Sequence, residues 1–289
     1  MKAYQMGGLN AAIITGLLVA LGVSANAQLL HRYDFNSTSD TVGTANGTLV
    51  GTASLSGGAL VTAGGNGTVD GIWSGTGPRL TLDPSAVSGI TGAFTIEDWF
   101  TCTTGWPKFD SLYAFSDATT SNYILGAPVR GYDPWPSGVG FIGAGGISRG
   151  DVWDIVLSGI YLDTPSLHQT ILTYDGTTFS YYVDGVLANY SGLASTAIDT
   201  GFNLSTLTAV GIGGGSPYDD PSLTGSTYDF RIYGQSLTAD QIASVYSLGS
   251  DASTGSIDAA IAPVPEPSTL ALAGFALLAS AVVRRKIKA

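Results

Sequence analysis

Short apolar segments alternate with turn residues along most of the chain. Between residues 28 and 250 these segments are four to nine residues long, rich in Val, Ile, Tyr, Phe and Thr, and bounded by Gly, Asp, Asn or Pro. Examples are AFTIEDWF, TILTY, TFSYYV and TYDFRIY. This pattern predicts a single all-β domain of antiparallel strands over residues 28–250.

One hairpin can be placed residue by residue. Asp175-Gly176 is a typical tight-turn pair between the segments TILTY and TFSYYV. Because side chains alternate along a strand, we expect Phe179, Tyr181 and Val183 to share one face and Ser180, Tyr182 and Asp184 the other, with one face in the core and the other partly wet. The chain is therefore predicted to meander antiparallel through this region.

The segment SLTADQIASVYSLG is the one stretch before the C-terminal tail with a longer helical period. Thr238 and Gln241 have the spacing of a capping box, and Gly249 is a typical helix stop. The apolar stripe consists of Leu237, Ile242, Val245 and Tyr246. This short helix is predicted to close the domain by packing on the edge of the sandwich.

The N-terminus has the features of a secretory signal peptide. Lys2 precedes an apolar run over residues 11–23, and Ala25 and Ala27 form a small-x-small site before Gln28. This predicts a signal peptide over residues 1–27 that signal peptidase removes. A plain N-terminal membrane anchor is the alternative, and the cleavage site argues against it.

The C-terminus predicts a short membrane helix. Residues 270–283 are apolar and uncharged, and the chain ends in a basic tail. The basic residues of the tail are Arg284, Arg285, Lys286 and Lys288. Residues 251–262 before this region are rich in small side chains and are expected to form a linker.

The segment 263–289 has three features in a fixed order, which are a Pro-Glu-Pro motif, a short apolar helix and an Arg cluster. The motif consists of Val264, Pro265, Glu266 and Pro267. This order resembles the PEP-CTERM sorting signal, which an exosortase recognises. The resemblance implies an exported protein that the helix holds transiently in the membrane until it is cut. Its destination would be the cell surface or extracellular matrix of a Gram-negative-type bacterium, with a permanent tail anchor as the alternative.

Four segments of the body resemble the laminin-G-like, concanavalin A-like jelly rolls. They are GAFTIEDWF, LHQTILTYDGTTFSYYVDG, SPYDDPSLTGS and YDFRIYGQSLTADQIASVY. The resemblance implies a two-sheet antiparallel jelly-roll sandwich. The sequence departs from the family hairpin at Leu167, where the family has Trp, and only His168 remains of a His pair.

The charge balance of the body is strongly acidic. The whole chain has a net charge of −11, and five of its eleven bases lie at the two ends. Between Gln28 and Pro265, six Lys or Arg stand against 21 Asp or Glu, a balance of −15. This argues against nucleic-acid binding. The single Cys102 excludes an internal disulfide and is predicted to be a buried apolar filler.

The carboxylates give little support to catalysis. A retaining glycosidase needs two of them about 5 Å apart on one side of the substrate. The chain has two glutamates, and Glu266 belongs to the sorting motif. Glu97 and Asp98 are adjacent, so on a strand they point to opposite faces. The domain is therefore predicted to be non-catalytic, with a glycoside hydrolase as an alternative.

Aromatic residues in loop-like segments suggest carbohydrate binding. The candidate ligand-binding residues are Trp106, Tyr132, Trp135 and Tyr218, in the stretches GWPK, RGYDPWPSG and GGSPYDD. An aromatic face stacks on a sugar ring while nearby carboxylates accept from hydroxyl groups. The expected partner is an extracellular polysaccharide or a surface protein. A structural or adhesive matrix protein without a small ligand is the alternative.

The jelly-roll resemblance also implies one structural Ca²⁺ between the first and last strands. Asp34 in YDF and Asp229 in YDFRIY are the acids that it carries over. Backbone carbonyls would supply the remaining oxygens. Solvated or backbone-bonded acids are the alternative.

Overall fold

The computed structural model describes residues 28–65, 68–69, 72–73, 77–102, 110–117, 122–128, 144–149, 152–157, 162, 164–188, 196–198, 201–217 and 220–263. Within these ranges the chain forms two facing antiparallel sheets, as the sequence predicts for a jelly-roll sandwich. The signal peptide and the helix over residues 270–283 lie outside the described residues. No helix of the described part is both long enough and apolar enough to cross a membrane.

The large sheet contains nine of the described strands. They are β1 (Leu29–Tyr33), β3 (Ser54–Ser56), β4 (Ala59–Gly65), β8 (Phe94–Cys102), β13 (His168–Tyr174), β14 (Thr178–Val183), β15 (Val186–Leu187), β16 (Thr196–Ile198) and β18 (Ser222–Tyr233). Their order is β15-β14-β13-β8-β18-β4-β3, with β1 paired to β18 and β16 paired to β14. Strand β8 therefore lies near the centre of the sheet.

The small sheet contains seven of the described strands. They are β2 (Gly47–Val50), β7 (Arg79–Leu82), β9 (Tyr113–Ser116), β10 (Asn122–Ala127), β11 (Ala144–Arg149), β12 (Val152–Leu157) and β17 (Ala209–Ile212). Their order is β12-β11-β10-β9-β17-β7-β2. Strands β5 (Thr68–Val69) and β6 (Ile72–Trp73) form a separate two-stranded ladder.

The main core fills the space between the two sheets. In the predicted hairpin, β13 and β14 pair antiparallel, with Leu172 opposite Tyr181 and Tyr174 opposite Phe179. Phe179, Tyr181 and Val183 share one face, as the alternation predicts, and the structure shows that this is the buried face. The stacked rings of Tyr174 and Phe179 lie 4.3 Å apart between centroids. Cys102 is also buried in this core, as expected.

Helix α2 (Ala239–Leu248) confirms the predicted helix. Thr238 accepts from the Gln241 backbone, and the Gln241 side chain accepts from the Thr238 backbone, so both halves of the capping box are present. Ile242 and Val245 are buried, whereas Tyr246 is 39% exposed. The helix packs over the outer face of the large sheet rather than on the sandwich edge alone.

The prediction that residues 251–262 form a linker is wrong. Most of it forms helix α3 (Thr254–Ile261), which Ser253 caps by accepting from the Ser256 backbone. Ile257 and Ile261 are buried in a second apolar cluster together with Ile242 and Val245 of α2. The small residues of this segment allow close helix packing, so composition alone does not distinguish such a helix from a linker. A short α1 (Ser85–Ser88) and one 3₁₀ turn (Leu204–Thr206) complete the described helices.

Candidate functional site

Several strand ends meet at one end of the sandwich. At this end the paired residues are Tyr113 with Ile212, Tyr113 with Gly126, Cys102 with Gly225, and Ala127 with Ala144. We call this region the loop end. It consists of residues 77–79, 102, 110–113, 126–128, 144, 213–217 and 220–222.

The four aromatic residues predicted to bind ligand, Trp106, Tyr132, Trp135 and Tyr218, lie outside the described residues. The described residues that flank them all belong to the loop end. Cys102 and Asp110 flank the segment of Trp106, Pro128 and Ala144 flank that of Tyr132 and Trp135, and Pro217 and Asp220 flank Tyr218. The topology therefore starts and ends all three aromatic segments in one region.

Hydrogen bonds fix the flanks of these segments to the sandwich. The Asp110 carboxylate accepts from the backbone N–H of Thr224 at 3.0 Å and from its hydroxyl at 3.1 Å. The backbone N–H of Ser111 donates to the Pro221 carbonyl at 2.8 Å. The Ser216 hydroxyl donates to Asp220 at 2.6 Å. The loop end thus has a rigid base, which suits a binding site because little ordering is needed on association.

The turn after β17 depends on glycine. Gly213 has φ of 75° and Gly215 has φ of 99°, which L side chains rarely adopt. A Cβ on Gly214 would also collide with the Ser222 side chain. This tight turn leads directly toward Tyr218 along the chain.

Both signs of charge are present at the loop end. The half-buried Arg79 guanidinium donates to the Gly77 carbonyl at 3.0 Å and to the Thr81 hydroxyl at 3.1 Å. Burial lowers the pKa of Arg79 below its ordinary value. Together with the half-buried Asp220, Arg79 supplies polar groups of the kind that bind a hydroxylated ligand.

His168, at the start of β13, is held on both ring nitrogens. Nδ1 lies 2.9 Å from Asp184, and Nε2 lies 2.9 Å from the Thr164 hydroxyl. The Thr164 carbonyl in turn accepts from the backbone N–H of Cys102 at 3.2 Å. These bonds join three segments, which is consistent with a structural role for His168.

Glu97 lies on the outer face of β8, where helices α2 and α3 cover it. Its Oε1 accepts from Trp99 at 2.6 Å, Gln169 at 2.8 Å and Arg231 at 2.9 Å. Tyr233 donates to the other oxygen. Glu97 is fully buried, so this carboxylate does not reach a substrate. The prediction that it points away from Asp98 is confirmed, because Asp98 pairs with Thr170 and Phe230 on the inner face.

Asp229 does not fit a calcium ion. Its carboxylate accepts from Arg32 Nη2 and from Arg231 Nε, both at 2.9 Å, and it is fully buried. The two guanidinium groups neutralise Asp229 and exclude a second cation from it. Asp34 instead accepts from the backbone N–H of Asn36 at 3.1 Å, so its role at a metal stays a prediction. The described residues contain no cluster of three or more metal-ligating side chains.

The buried arginines are the feature that sequence reasoning missed. Neighbouring carboxylates, Glu97 first and then Asp229, raise the pKa of Arg231 above its ordinary value although burial acts to lower it. A signal was present, because two of the six bases of the body occur inside the strand segments HRYDF and YDFRIY. A base in a strand interior beside an acid at i−2 indicates a buried ion pair.

The family model of the concanavalin A-like lectin/glucanases superfamily matches residues 74–243. The chain belongs to this superfamily. Residues 263–286 match the model of the PEP-CTERM protein-sorting motif, which indicates export, exosortase-dependent processing and a surface or extracellular location. No curated protein matches the sequence at a significant level.

Several solved structures have a similar fold. Domain 4 of AbnA, a GH43 extracellular arabinanase from Geobacillus stearothermophilus solved with arabinotriose, has a TM-score of 0.53 at 18% identity, covering 75% of this chain and 98% of that domain. The binding domain of botulinum neurotoxin DC in complex with SialylT has a TM-score of 0.53 at 13% identity, covering 77% of this chain and 51% of that one. Trypanosoma rangeli sialidase has a TM-score of 0.50 at 13% identity, with coverages of 76% and 32%. The chain thus spans about half or less of the neurotoxin and sialidase chains. At these identities the similarity establishes the fold alone.

Proposed function

We propose that the protein is an exported, surface-sorted module that binds carbohydrate at the loop end without catalysis. The observation that carries this proposal is the convergence of the segments of Trp106, Trp135 and Tyr218 on one rigid base. The half-buried Asp220 at this base is suited to accept from sugar hydroxyls, whereas the fully buried Asp110 holds the base together through Thr224. The similar structures solved with arabinotriose and with SialylT add support at the level of the fold.

The carboxylate geometry favours binding over hydrolysis. A retaining mechanism needs two facing carboxyl groups. Glu97 is buried in a network of ion pairs and hydrogen bonds on the outer face of the large sheet, and Asp98 lies between the two sheets. Asp110 is held by Thr224, and Asp220 by Ser216. The similarity to a sialidase and to a domain of an arabinanase keeps hydrolysis as the second candidate.

The sorting motif supports a location where such a module meets polysaccharide. In this proposal the apolar segment 270–283 anchors the chain transiently until exosortase cuts near Pro265, Glu266 and Pro267. The released domain then resides at the surface or in the exopolysaccharide matrix. The acidic body favours neutral or cationic ligands over polyanions.

A glycan array on purified residues 28–263 tests the binding proposal. We expect selective binding by the wild type and about a tenfold or greater loss of affinity for Trp135→Ala or Trp106→Ala, since burying a large apolar side chain against the ligand is worth about 1.5–3 kcal/mol. Tyr246→Ala on helix α2 is the matched control, because it removes an exposed aromatic ring from the outer face.

Two results would count against this proposal. Equal binding by Trp135→Ala, Trp106→Ala and the wild type would place the ligand elsewhere. Absence of glycan binding by the wild type would favour the structural matrix protein. Release of reducing ends from a bound glycan would instead revive the hydrolase.

A further inference from the structure

Asp98 lies in the middle of the sandwich, on the inner face of β8. Its strand neighbours Ile96 and Phe100 belong to the inter-sheet core, and Asp98 is fully buried. Thr170 of β13 and Phe230 of β18 are its direct cross-strand partners. The chain therefore has an acid at a position whose strand neighbours form the apolar core.

Neither carboxylate oxygen of Asp98 has a hydrogen-bond partner among the described residues. Several further buried oxygens share this condition, and those in the inter-sheet region around Asp98 belong to Thr170, Thr227, Tyr113 and Tyr181. Thr170 lies opposite Asp98, Thr227 lies opposite Phe100, and the Tyr181 hydroxyl lies beside Thr170. Asp98 and Tyr181 both act electrostatically on Tyr113 of the opposite sheet.

Buried polar atoms without partners are rare, and each one requires an explanation. A buried carboxylate is stabilised by an opposite charge or by a metal ion. The arginines nearest to β8, Arg231 and Arg32, lie on the outer face and are bound to Glu97 and Asp229. The inner cluster therefore has a carboxylate, four hydroxyls and no counter-charge among the described residues.

We propose that this cluster binds one sodium ion between the two sheets. Its donors are all oxygen atoms, which is the ligand type that hard cations prefer. Asp98 contributes one negative charge, and a monovalent ion neutralises it, whereas a divalent ion would leave a buried positive charge. Two carboxylate oxygens and four hydroxyl oxygens provide the six donors of a typical hard-cation shell.

A proton competes with the ion for Asp98. Burial raises the pKa of Asp98 well above its ordinary value, and Asp229 and Glu97 on the opposite face add to this. Tyr113 and Tyr181 are titratable groups that neighbour Asp98 in the core, and burial also raises their own pKa values. The raised pKa of Asp98 favours its protonated form in the absence of sodium, so sodium binding to the carboxylate would release a proton.

Thermal melting of the full chain in mild detergent tests the sodium site. The salts NaCl, KCl, CaCl₂ and choline chloride are compared at equal ionic strength for the wild type, Asp98→Ala and Asp98→Asn. At a sodium concentration ten times the dissociation constant, we expect the wild-type Tm to rise by about 3–6 °C relative to choline. Neither variant should respond to sodium, because both lack the charge.

The two variants keep the test decisive. Asp98→Ala removes a buried acid from the apolar core, so it should fold and should melt above the wild type in choline. Asp98→Asn retains the shape of the side chain without its charge. Equal sodium responses in all three proteins, or no ion-specific response in the wild type, would overturn the proposal. A calcium-specific rise that Asp98→Ala abolishes would overturn the assignment of a monovalent ion.

Discussion

At the residue scale, Arg231 is the centre of the charge network on the outer face. It binds Glu97 and Asp229 and donates to the carbonyls of Gly249 and Ser250, which connect α2 to α3. Arg231→Ala would leave two buried carboxylates short of counter-charge. We expect it to lower the free energy of unfolding by about 3–5 kcal/mol. Chemical denaturation followed by tryptophan fluorescence measures this change.

Arg231→Lys is the matched control for that measurement. It keeps the positive charge but lacks the planar guanidinium group that binds two acceptors at once. The decrease in free energy of unfolding should therefore be intermediate. If the free energy of unfolding of Arg231→Ala lay within about 1 kcal/mol of the wild-type value, relaxation or water would compensate for the loss of Arg231. The charge network would then not stabilise the domain.

Asp40 gives the fold a defined acid sensitivity. Its carboxylate accepts from His31 at 2.6 Å and from the backbone N–H groups of Arg32, Val42, Gly43 and Ala45. Burial acts to raise the pKa of Asp40, but these donors outweigh it and hold the pKa below its ordinary value. Because the folded-state pKa is lowered, the ionised Asp40 adds to the free energy of unfolding above about pH 4. This contribution is lost as the pH falls below that value.

The difference in free energy of unfolding between the wild type and Asp40→Asn should show the same pH dependence. We expect about 1.5–3 kcal/mol near neutral pH, which shrinks as the pH falls through 4. Urea denaturation at several pH values measures it. The exposed Asp258→Asn on α3 is the control, and an Asp40→Asn difference that grows on acidification would contradict the argument.

At the element scale, α3 tests whether the segment before the sorting motif belongs to the folded domain. Ile257 is fully buried against α2. Ile257→Ala should lower the free energy of unfolding by about 2–5 kcal/mol, because it leaves a cavity between α3 and the sheet. The neighbouring Asp258→Ala is exposed and should change stability by less than about 0.5 kcal/mol. If the two variants were equally stable, this segment would be a linker and not part of the folded domain.

The elements that the sequence predicted well are those whose signals are local. The 175–176 turn defines the hairpin, and Thr238 with Gln241 defines the start of α2. Helix α3 was missed because its apolar positions, Ile257 and Ile261, are few and its other residues are small. The loop end and the oxygens around Asp98 depend on residues far apart in sequence, which alternation alone cannot bring together.

At the scale of the whole molecule, the folded domain and the sorting motif are almost continuous. Helix α3 ends at Ile261, and the Gln241 side chain donates to the Ile261 carbonyl. The PEP-CTERM match begins at residue 263, directly after the end of α3. The segment on which exosortase acts therefore adjoins the folded domain.

Replacing Pro265, Glu266 and Pro267 together by Ala should block this processing, because it removes the motif and leaves the apolar segment 270–283 in place. We expect the variant to keep its tail and to stay in the membrane fraction, while the wild type becomes shorter and is released. Immunoblotting of membrane and extracellular fractions, with mass spectrometry of the C-terminus, measures both effects. Ser268→Ala, just outside the motif, is the control and should be processed normally. A wild-type chain that retains residues 270–283 in the membrane would instead make the tail a permanent anchor, and binding at the loop end would then act on the cell that made the protein.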